Sequence, residues 1–147
     1  MPRNPRNTSG LHAFCVLLGA VVLAAAGAEA REYRESSSVQ RMTPGELLSN
    51  LIAGTGPVVI DARGTRFYDE GHVPGALDIH SKLIWGWVPD LEKYEDRGFV
   101  VYCDNGLNSG RAARRLLREN FRKVFVMEGH FKRWKKLGYP VEVSPPE

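Results

Sequence analysis

From residue 39 onward, short apolar runs alternate with segments in which apolar residues recur every three or four positions. The short runs predict buried strands, and the periodic segments predict helices that cover them. We predict strands at 57–62, 76–79, 99–102 and 123–127, with a short edge strand near Val39. Strands alternating with helices predict one α/β domain with a mostly parallel central sheet and helices on both faces.

Capping and stop signals define the helices. Thr43-Pro44-Gly45-Glu46 predicts a helix start with a capping box, and Gly54 predicts its end. Its buried stripe is expected to be Leu47, Leu48, Leu51 and Ile52. Further helices are predicted from a Thr65 cap to Gly71, over 88–94 with Asp90 as cap, over 111–121, and around Phe131, Trp134 and Leu137.

The first thirty residues have the composition of a secretory signal peptide. Arg3 and Arg6 precede an apolar stretch at 13–26, and small residues follow at 27–30. We expect cleavage after Ala30, hence a periplasmic or otherwise exported protein without membrane attachment. An uncleaved anchor is the alternative, but the stretch is shorter than the ~20 residues of a spanning helix. A flexible lead-in is then predicted at 31–38, the folded domain at 39–143 and a flexible tail at 144–147.

Removal of residues 1–30 would take Cys15 with it and leave Cys103 as the single cysteine. A single thiol in an exported protein suggests a reactive group or intermolecular pairing, and the alternative is a buried, inert cysteine. Because Cys103 stands at a strand end before a polar loop, we expect it to be exposed and reactive.

The stretch from Phe99 to Arg111 predicts a strand, a tight loop and a helix. Amides of such a loop and of the first helical turn lack backbone partners, and the helix dipole adds positive potential. These groups stabilise an anion, and Cys103 is the nearest side chain that can become one. The predicted result is a nucleophilic thiolate.

Charge adds little to this interpretation. The formal net charge of +3 is too small to indicate nucleic-acid binding. Basic clusters at 111–118 and 132–136 fall on predicted helices, where they indicate solvated faces or a means of attracting a small anion. No group of His, Cys, Asp and Glu has metal-ligand spacing, so neither a metal nor a cofactor is expected. We expect a monomer.

Three ordered motifs, spread over nearly the whole predicted domain, resemble the rhodanese family. They are Asp61-x-Arg63 with Tyr68 and Gly71-His72-Val73-Pro74-Gly75-Ala76; Val101-Tyr102-Cys103-x-x-Gly106 with Ser109, Ala112 and Ala113; and 124–129 with Trp134 and Gly138-Tyr139-Pro140-Val141. With its leader, the chain is similar to the small single-domain periplasmic thiosulfate sulfurtransferases of bacteria.

The resemblance implies sulfur transfer through a persulfide on Cys103. A small anionic donor such as thiosulfate would load the cysteine, and cyanide or a thiol, including a protein thiol, would unload it. The persulfide would be surrounded by the loop residues Asp104, Asn105, Gly106, Leu107, Asn108 and Ser109. Ser109 would either hydrogen-bond the sulfur or cap the following helix.

Several residues depart from the family pattern or have open roles. Asp104 and Asn108 stand where many active members carry a basic residue, and Asp104 repels a dianionic donor. Arg111 is expected to compensate. His130 replaces the second of two usual glycines and is a candidate substrate contact. Trp85, with the nearby Trp87, is expected either to flank the pocket or to pack. Asp61 and Arg63 predict a structural ion pair, and His72 is expected to hold backbone.

The residues leave two alternative functions. Related folds bind phosphate with an arginine six places after the cysteine, but Ser109 occupies that place here, which disfavours a phosphatase or arsenate reductase. A non-enzymatic module that relays a persulfide or docks to another protein is the stronger alternative, because Asp104 discourages a free anionic donor.

Overall fold

The computed structural model describes residues 38–145, so the predicted leader, nearly all of the lead-in and the last two residues lie outside it. The strands are β1 (Gln40–Met42), β2 (Val58–Asp61), β3 (Leu77–Asp78), β4 (Phe99–Tyr102) and β5 (Val124–Met127). The helices are α1 (Pro44–Ile52), α2 (Thr65–Asp69), α3 (Ile84–Leu91), α4 (Leu107–Arg118) and α5 (His130–Lys136), with a 3₁₀ turn at Glu92–Tyr94.

The five strands form one parallel sheet in the order β1-β5-β4-β2-β3. β4 is central, and its Val101 pairs with Ile60 of β2 and with Val126 of β5. Parallel strands place their carboxyl ends at one edge, where functional loops of open α/β sheets lie. The predicted α/β fold is confirmed, and Cys103 directly follows the central strand.

Successive residues of β4 point to opposite faces of the sheet, and each face has its own helical layer. Phe99 and Val101 pack on the face covered by α3 and α4. Val100 and Tyr102 pack on the other face, with Leu47 of α1 and Trp134 of α5. Burial on both faces explains why the strand is an unbroken apolar run.

Two predicted helix starts are wrong. α3 begins at Ile84 rather than at residue 88, because Ile84, Val88 and Leu91 together make the apolar stripe that packs on the core. Asp90 therefore lies inside this helix and caps nothing. α4 begins at Leu107 rather than Arg111 and ends at Arg118, before Phe121.

The predicted cap of α1 is present, whereas two other single residues differ from the prediction. The capping box of Thr43 and Glu46 is present, and Thr43 lowers the pKa of Glu46 by hydrogen bonding. Ile52, expected in the buried stripe of α1, is 79% exposed, because it lies about 140° around the helix from buried Leu47. Thr65 is the first residue of α2 rather than its cap, and its hydroxyl donates to Asp78 Oδ2 at 2.5 Å.

In residues 38–145, no helix is both long enough and apolar enough to cross a membrane.

Candidate active site

The candidate site is the turn that connects β4 to α4. Only Cys103 to Gly106 separate the two elements, and Gly106 is the N-cap of α4 with φ 90°. A glycine tolerates this left-handed conformation without the steric cost that other residues incur. Leu107, Asn108 and Ser109 were predicted as loop but form the first helical turn. Polar residues suit this turn because its amides need partners, and Leu107 N–H donates to Asn105 Oδ1 at 3.2 Å.

The Cys103 sulfur has two hydrogen-bond partners among the described residues. The N–H of Gly106 donates to Sγ at 3.0 Å, and the thiol donates to Ser109 Oγ at 3.3 Å. The Ser109 hydroxyl donates in turn to the carbonyl of Gly106 at 3.3 Å. Ser109 therefore hydrogen-bonds the sulfur, which is one of its two predicted roles. The other role, capping of α4, falls to Gly106, which occupies the N-cap position.

The exposure predicted for Cys103 is wrong, since the residue is 1% exposed. It directly follows the central strand of the sheet. The carbonyl of Cys103 also accepts the N–H of Phe131 at 3.1 Å, which fixes the start of α5 against the turn. The sulfur is therefore buried but hydrogen-bonded, unlike a cysteine that is only packed.

His130 lies against this turn in a strained conformation. Its φ is 55°, directly after Gly129 at φ 67°, and such left-handed geometry is uncommon outside glycine. The ring is so close to Gly106 that a Cβ added there would lie 2.9 Å from His130 Nε2. Burial, and then the charge of Arg41, lower the pKa of His130, while Asp104 opposes the shift. The imidazole is therefore held towards its neutral form.

A cavity of about 330 Å³ opens beside the turn. Gly106, Gly129 and His130 line it on one side, and Arg41 and Glu128 also reach it. His130 Nδ1 is buried without a hydrogen-bond partner among the described residues. Arg41 is an exposed residue of β1, and no motif in the sequence connects it with Cys103. Only the position of β1 beside β5 brings it to this cavity.

Arg63 is the cation that meets Asp104. Its Nη1 lies 3.8 Å from Asp104 Oδ1, while Nε and Nη2 bind the carboxylate of Asp61 at 2.6–3.0 Å. The guanidinium lies 4.1 Å from the centre of the Phe131 ring. Burial opposes the Arg63 charge, but Asp61 outweighs it and raises the pKa of Arg63. The predicted Asp61–Arg63 ion pair is present. The additional contact of Arg63 with Asp104 does not follow from the sequence motifs.

Buried hydrogen bonds of Tyr102 hold the Asp61 carboxylate of the Asp61–Arg63 pair in place. Tyr102 donates to Asp61 Oδ2 at 2.7 Å and accepts the N–H of Val73 at 3.1 Å. Burial, and then the charge of Asp61, raise the pKa of Tyr102, so the phenol stays protonated. His72 also holds backbone, as predicted, because its Nδ1 is 2.8 Å from the carbonyl of Tyr68.

Arg111 and Trp85 come together away from the turn. Both line a groove to which none of the residues 103–109 contributes. Arg111 is two residues beyond Ser109, hence about 200° around α4 from the side chain that contacts sulfur. The expected compensation of Asp104 by Arg111 is therefore wrong, and Arg63 supplies it.

The fold and the turn together define a class of protein. Its members are α/β domains with one parallel sheet, in which a cysteine lies between the central strand and the helix that follows it. Residues 43–137 match the family described as Rhodanese-like domain, and the chain belongs to this family. A thiosulfate sulfurtransferase GlpE from Pseudomonas paraeruginosa is 30% identical over 114 residues, which are 76% of this chain and 97% of that protein. The family resemblance identified from the motifs is thus confirmed, and it is a family of sulfurtransferases.

Solved structures agree on the fold. A Rhodopseudomonas palustris protein of unknown function, described as a possible tyrosine phosphatase, has a TM-score of 0.65 at 24% identity and covers 97% of this chain and 99% of its own. A thiosulfate sulfurtransferase from Pseudomonas aeruginosa has a TM-score of 0.64 at 21% identity, over 73% of this chain and 20% of its own. At these identities the likeness shows the fold alone.

Proposed function

We propose that the protein moves sulfane sulfur from thiosulfate, or a similar anionic donor, to a thiophilic acceptor. The Cys103 thiolate attacks the outer sulfur of thiosulfate, a new S–S bond forms, and the donor S–S bond breaks with its electron pair leaving on sulfite. The acceptor, cyanide or a thiolate, then attacks the outer sulfur of the persulfide. The Cys103 thiolate leaves, and the cycle closes without a cofactor.

The observation that carries this proposal is the pair of hydrogen bonds on Sγ. The N–H of Gly106 is 3.0 Å away, and Ser109 Oγ is 3.3 Å away. Both bonds favour a sulfur anion once the thiol has lost its proton, because the Ser109 hydroxyl can then donate to sulfur. Groups fixed in this way need no rearrangement as charge develops, which is the basis of electrostatic catalysis.

Burial of Cys103 sets a condition on the reaction. The donor has to reach Sγ through the turn or past the ring of His130, which lies against Gly106. The neighbouring cavity supplies an approach, and its Arg41 attracts the donor's charge. Movement of the turn or of His130 is therefore part of the proposed cycle.

Intact-mass spectrometry tests the proposal directly. Protein incubated with thiosulfate should gain one sulfur atom, and cyanide should remove it with formation of thiocyanate. Cys103→Ser is the matched control, because it keeps the size of the side chain and should leave folding unchanged. A wild-type protein that stays unmodified, or a Cys103→Ser variant that gains the same sulfur, would contradict the mechanism.

The second candidate is a persulfide relay between proteins. The exposed carboxylate of Asp104 stands at the turn, and its nearest cation, Arg63, is 3.8 Å away and already bound to Asp61. This arrangement disfavours a free dianion and leaves sulfur delivery to the persulfide of another protein, whose thiolate leaves as Cys103 takes the outer sulfur. A Cys103 that takes sulfur from a protein persulfide but not from thiosulfate would favour the relay, and Asp104→Asn should then restore loading by thiosulfate.

A phosphatase receives no support from the site. The position six residues after Cys103 holds Ser109, whose hydroxyl is engaged with the sulfur and with Gly106. The arginine clamp on phosphate oxygens therefore has no counterpart in this turn.

We also propose that the protein is exported. Support comes from the basic start, apolar stretch and small residues within 1–30. Expression of the full chain in a bacterial host, followed by amino-terminal sequencing of the periplasmic fraction, should give Arg31 as the first residue. Retention of Met1 in the membrane fraction would contradict it.

A further inference from the structure

A basic groove separates the start of α3 from the exposed side of α4. Ser81, Lys82 and Trp85 line one side, and four arginines of α4 line the other. The groove has a volume of about 350 Å³. None of the residues Cys103 to Ser109 lines it, so the basic groove is separate from the sulfur site.

The four arginines form one continuous surface. Arg111, Arg114, Arg115 and Arg118 have the spacing i, i+3, i+4 and i+7, which keeps them within about 100° of arc over roughly 10 Å of helix. Like charges at this spacing destabilise a helix. Arg115 is paired with Glu119 at 2.7 Å, whereas the other three have no ion pair within residues 38–145. Lys82 adds a further charge without an ion pair there.

Ser81 provides an independent sign of a ligand. It is only 8% exposed, it lines the basic groove, and its hydroxyl has no hydrogen-bond partner among the described residues. Burying a hydroxyl without a partner is unfavourable. A group that entered the groove would supply that partner.

We propose that the basic groove binds a small molecule with linked phosphate-type groups. Arginine forks bind phosphate oxygens in pairs, and a row about 10 Å long matches more than one tetrahedral group. The volume suits a small molecule, and Ser81 lines the groove with a buried hydroxyl that has no partner among the described residues and can turn towards a group that enters. The exposed indole of Trp85 forms one wall and can stack on a planar part of the ligand. An acidic protein segment is the alternative occupant, and the experiment distinguishes the two.

Pyrophosphate is the probe. The intact chain is titrated with it by isothermal calorimetry at constant ionic strength, and a change in tryptophan fluorescence that is lost in Trp85→Phe gives a second signal. We expect the Arg111→Gln/Arg118→Gln variant to weaken binding at least tenfold. We expect Ser81→Ala to weaken it severalfold without loss of stability, because the lost hydroxyl has no partner in the folded chain.

Two matched controls make the test specific. Arg133→Gln removes an exposed arginine from α5, outside the groove, and should leave binding unchanged. Cys103→Ser should also bind pyrophosphate normally, since the basic groove does not depend on the sulfur site. Circular dichroism establishes that each variant is folded.

Three results would overturn the proposal. The first is pyrophosphate binding no tighter than that of sulfate at equal ionic strength. The second is equal weakening by Arg133→Gln and by the groove variants, which would mean general charge attraction. The third is tighter binding of a decaglutamate peptide than of pyrophosphate with no effect of Ser81→Ala, which would identify the basic groove as a docking surface for acidic proteins.

Discussion

Gly106→Ala tests the geometry of the turn most directly. The substitution adds a Cβ at φ 90°, where an L-residue costs about 1–2 kcal/mol. The new atom would also lie 2.9 Å from His130 Nε2, so the ring or the turn has to shift. Contacting residues of this kind couple by about 0.5–3 kcal/mol. We expect the free energy of unfolding to fall by about 2–3 kcal/mol in total.

A double-mutant cycle with His130→Gly separates the two contributions. In the His130→Gly background, Gly106→Ala should lower the free energy of unfolding only by the backbone penalty. The loss should therefore be about 1 kcal/mol smaller than in the wild-type background. Urea denaturation of the four proteins, followed by circular dichroism, gives the free energies. Alkylation of Cys103 by iodoacetamide adds a functional signal, because removing the ring should speed the reaction if His130 covers the sulfur.

The effect on sulfur transfer follows from the same displacement. A shifted Gly106 amide loses its bond to Sγ, and loss of one such donor lowers turnover by as much as about 10²–10³-fold in enzymes. We expect a decrease of at least about tenfold in persulfide formation. A Gly106→Ala protein as stable as the wild type, or an equal penalty with and without His130, would refute the described turn.

Three further predictions concern the groups that support the site. Tyr102→Phe should lower the free energy of unfolding by about 1–3 kcal/mol in urea denaturation, because it leaves the buried carboxylate of Asp61 short of a donor. Arg63→Lys should cost about 1.5–3 kcal/mol in the same assay, since one ammonium cannot replace the paired bonds to Asp61, and a cost below about 0.5 kcal/mol would contradict that role. His130 should make the protein less stable as the pH falls below about 6.5, because the unfolded chain then takes up a proton that the folded chain resists. His130→Asn tolerates the left-handed backbone, so its unfolding curve should lose that part of the pH dependence, and an unchanged difference between pH 7 and 5 would contradict it.

The parts of the fold that depend on local pattern were predictable. β4 is an unbroken apolar run, and the capping box of Thr43 and Glu46 fixes the start of α1. The start of α4 was not predictable, because it depends on the left-handed conformation of Gly106 and on the Asn105 side chain meeting the Leu107 amide. Asn and Ser are unfavourable in helix interiors but favourable in a first helical turn. The spacing of apolar residues alone does not show whether such residues belong to a loop or to a first turn.

The site itself was predictable only in part. Cys103, Gly106 and Ser109 lie within seven residues, so their meeting is local. Cys103 is buried, and its carbonyl accepts a bond from α5, which begins 27 residues later in the chain, so no nearby residue signals this contact. Arg111 is the closest cation in sequence to the predicted loop, yet helical rotation takes it away. Arg63 reaches Asp104 only because β2 and β4 are neighbours in the parallel sheet.

These contacts connect the strain at His130 to the buried sulfur. A left-handed histidine is maintained against a cost of about 1–2 kcal/mol, and its ring faces the glycine whose amide binds Sγ. Glycine at this position would be free of that cost but would leave the turn uncovered. The imidazole is favoured in its neutral form, so it lies against Gly106 without pairing with an incoming anion. Exclusion of water strengthens the Gly106 and Ser109 bonds to a sulfur anion, because electrostatic interactions weaken as the local dielectric rises. The burial of Cys103 is therefore also what makes its two hydrogen bonds effective.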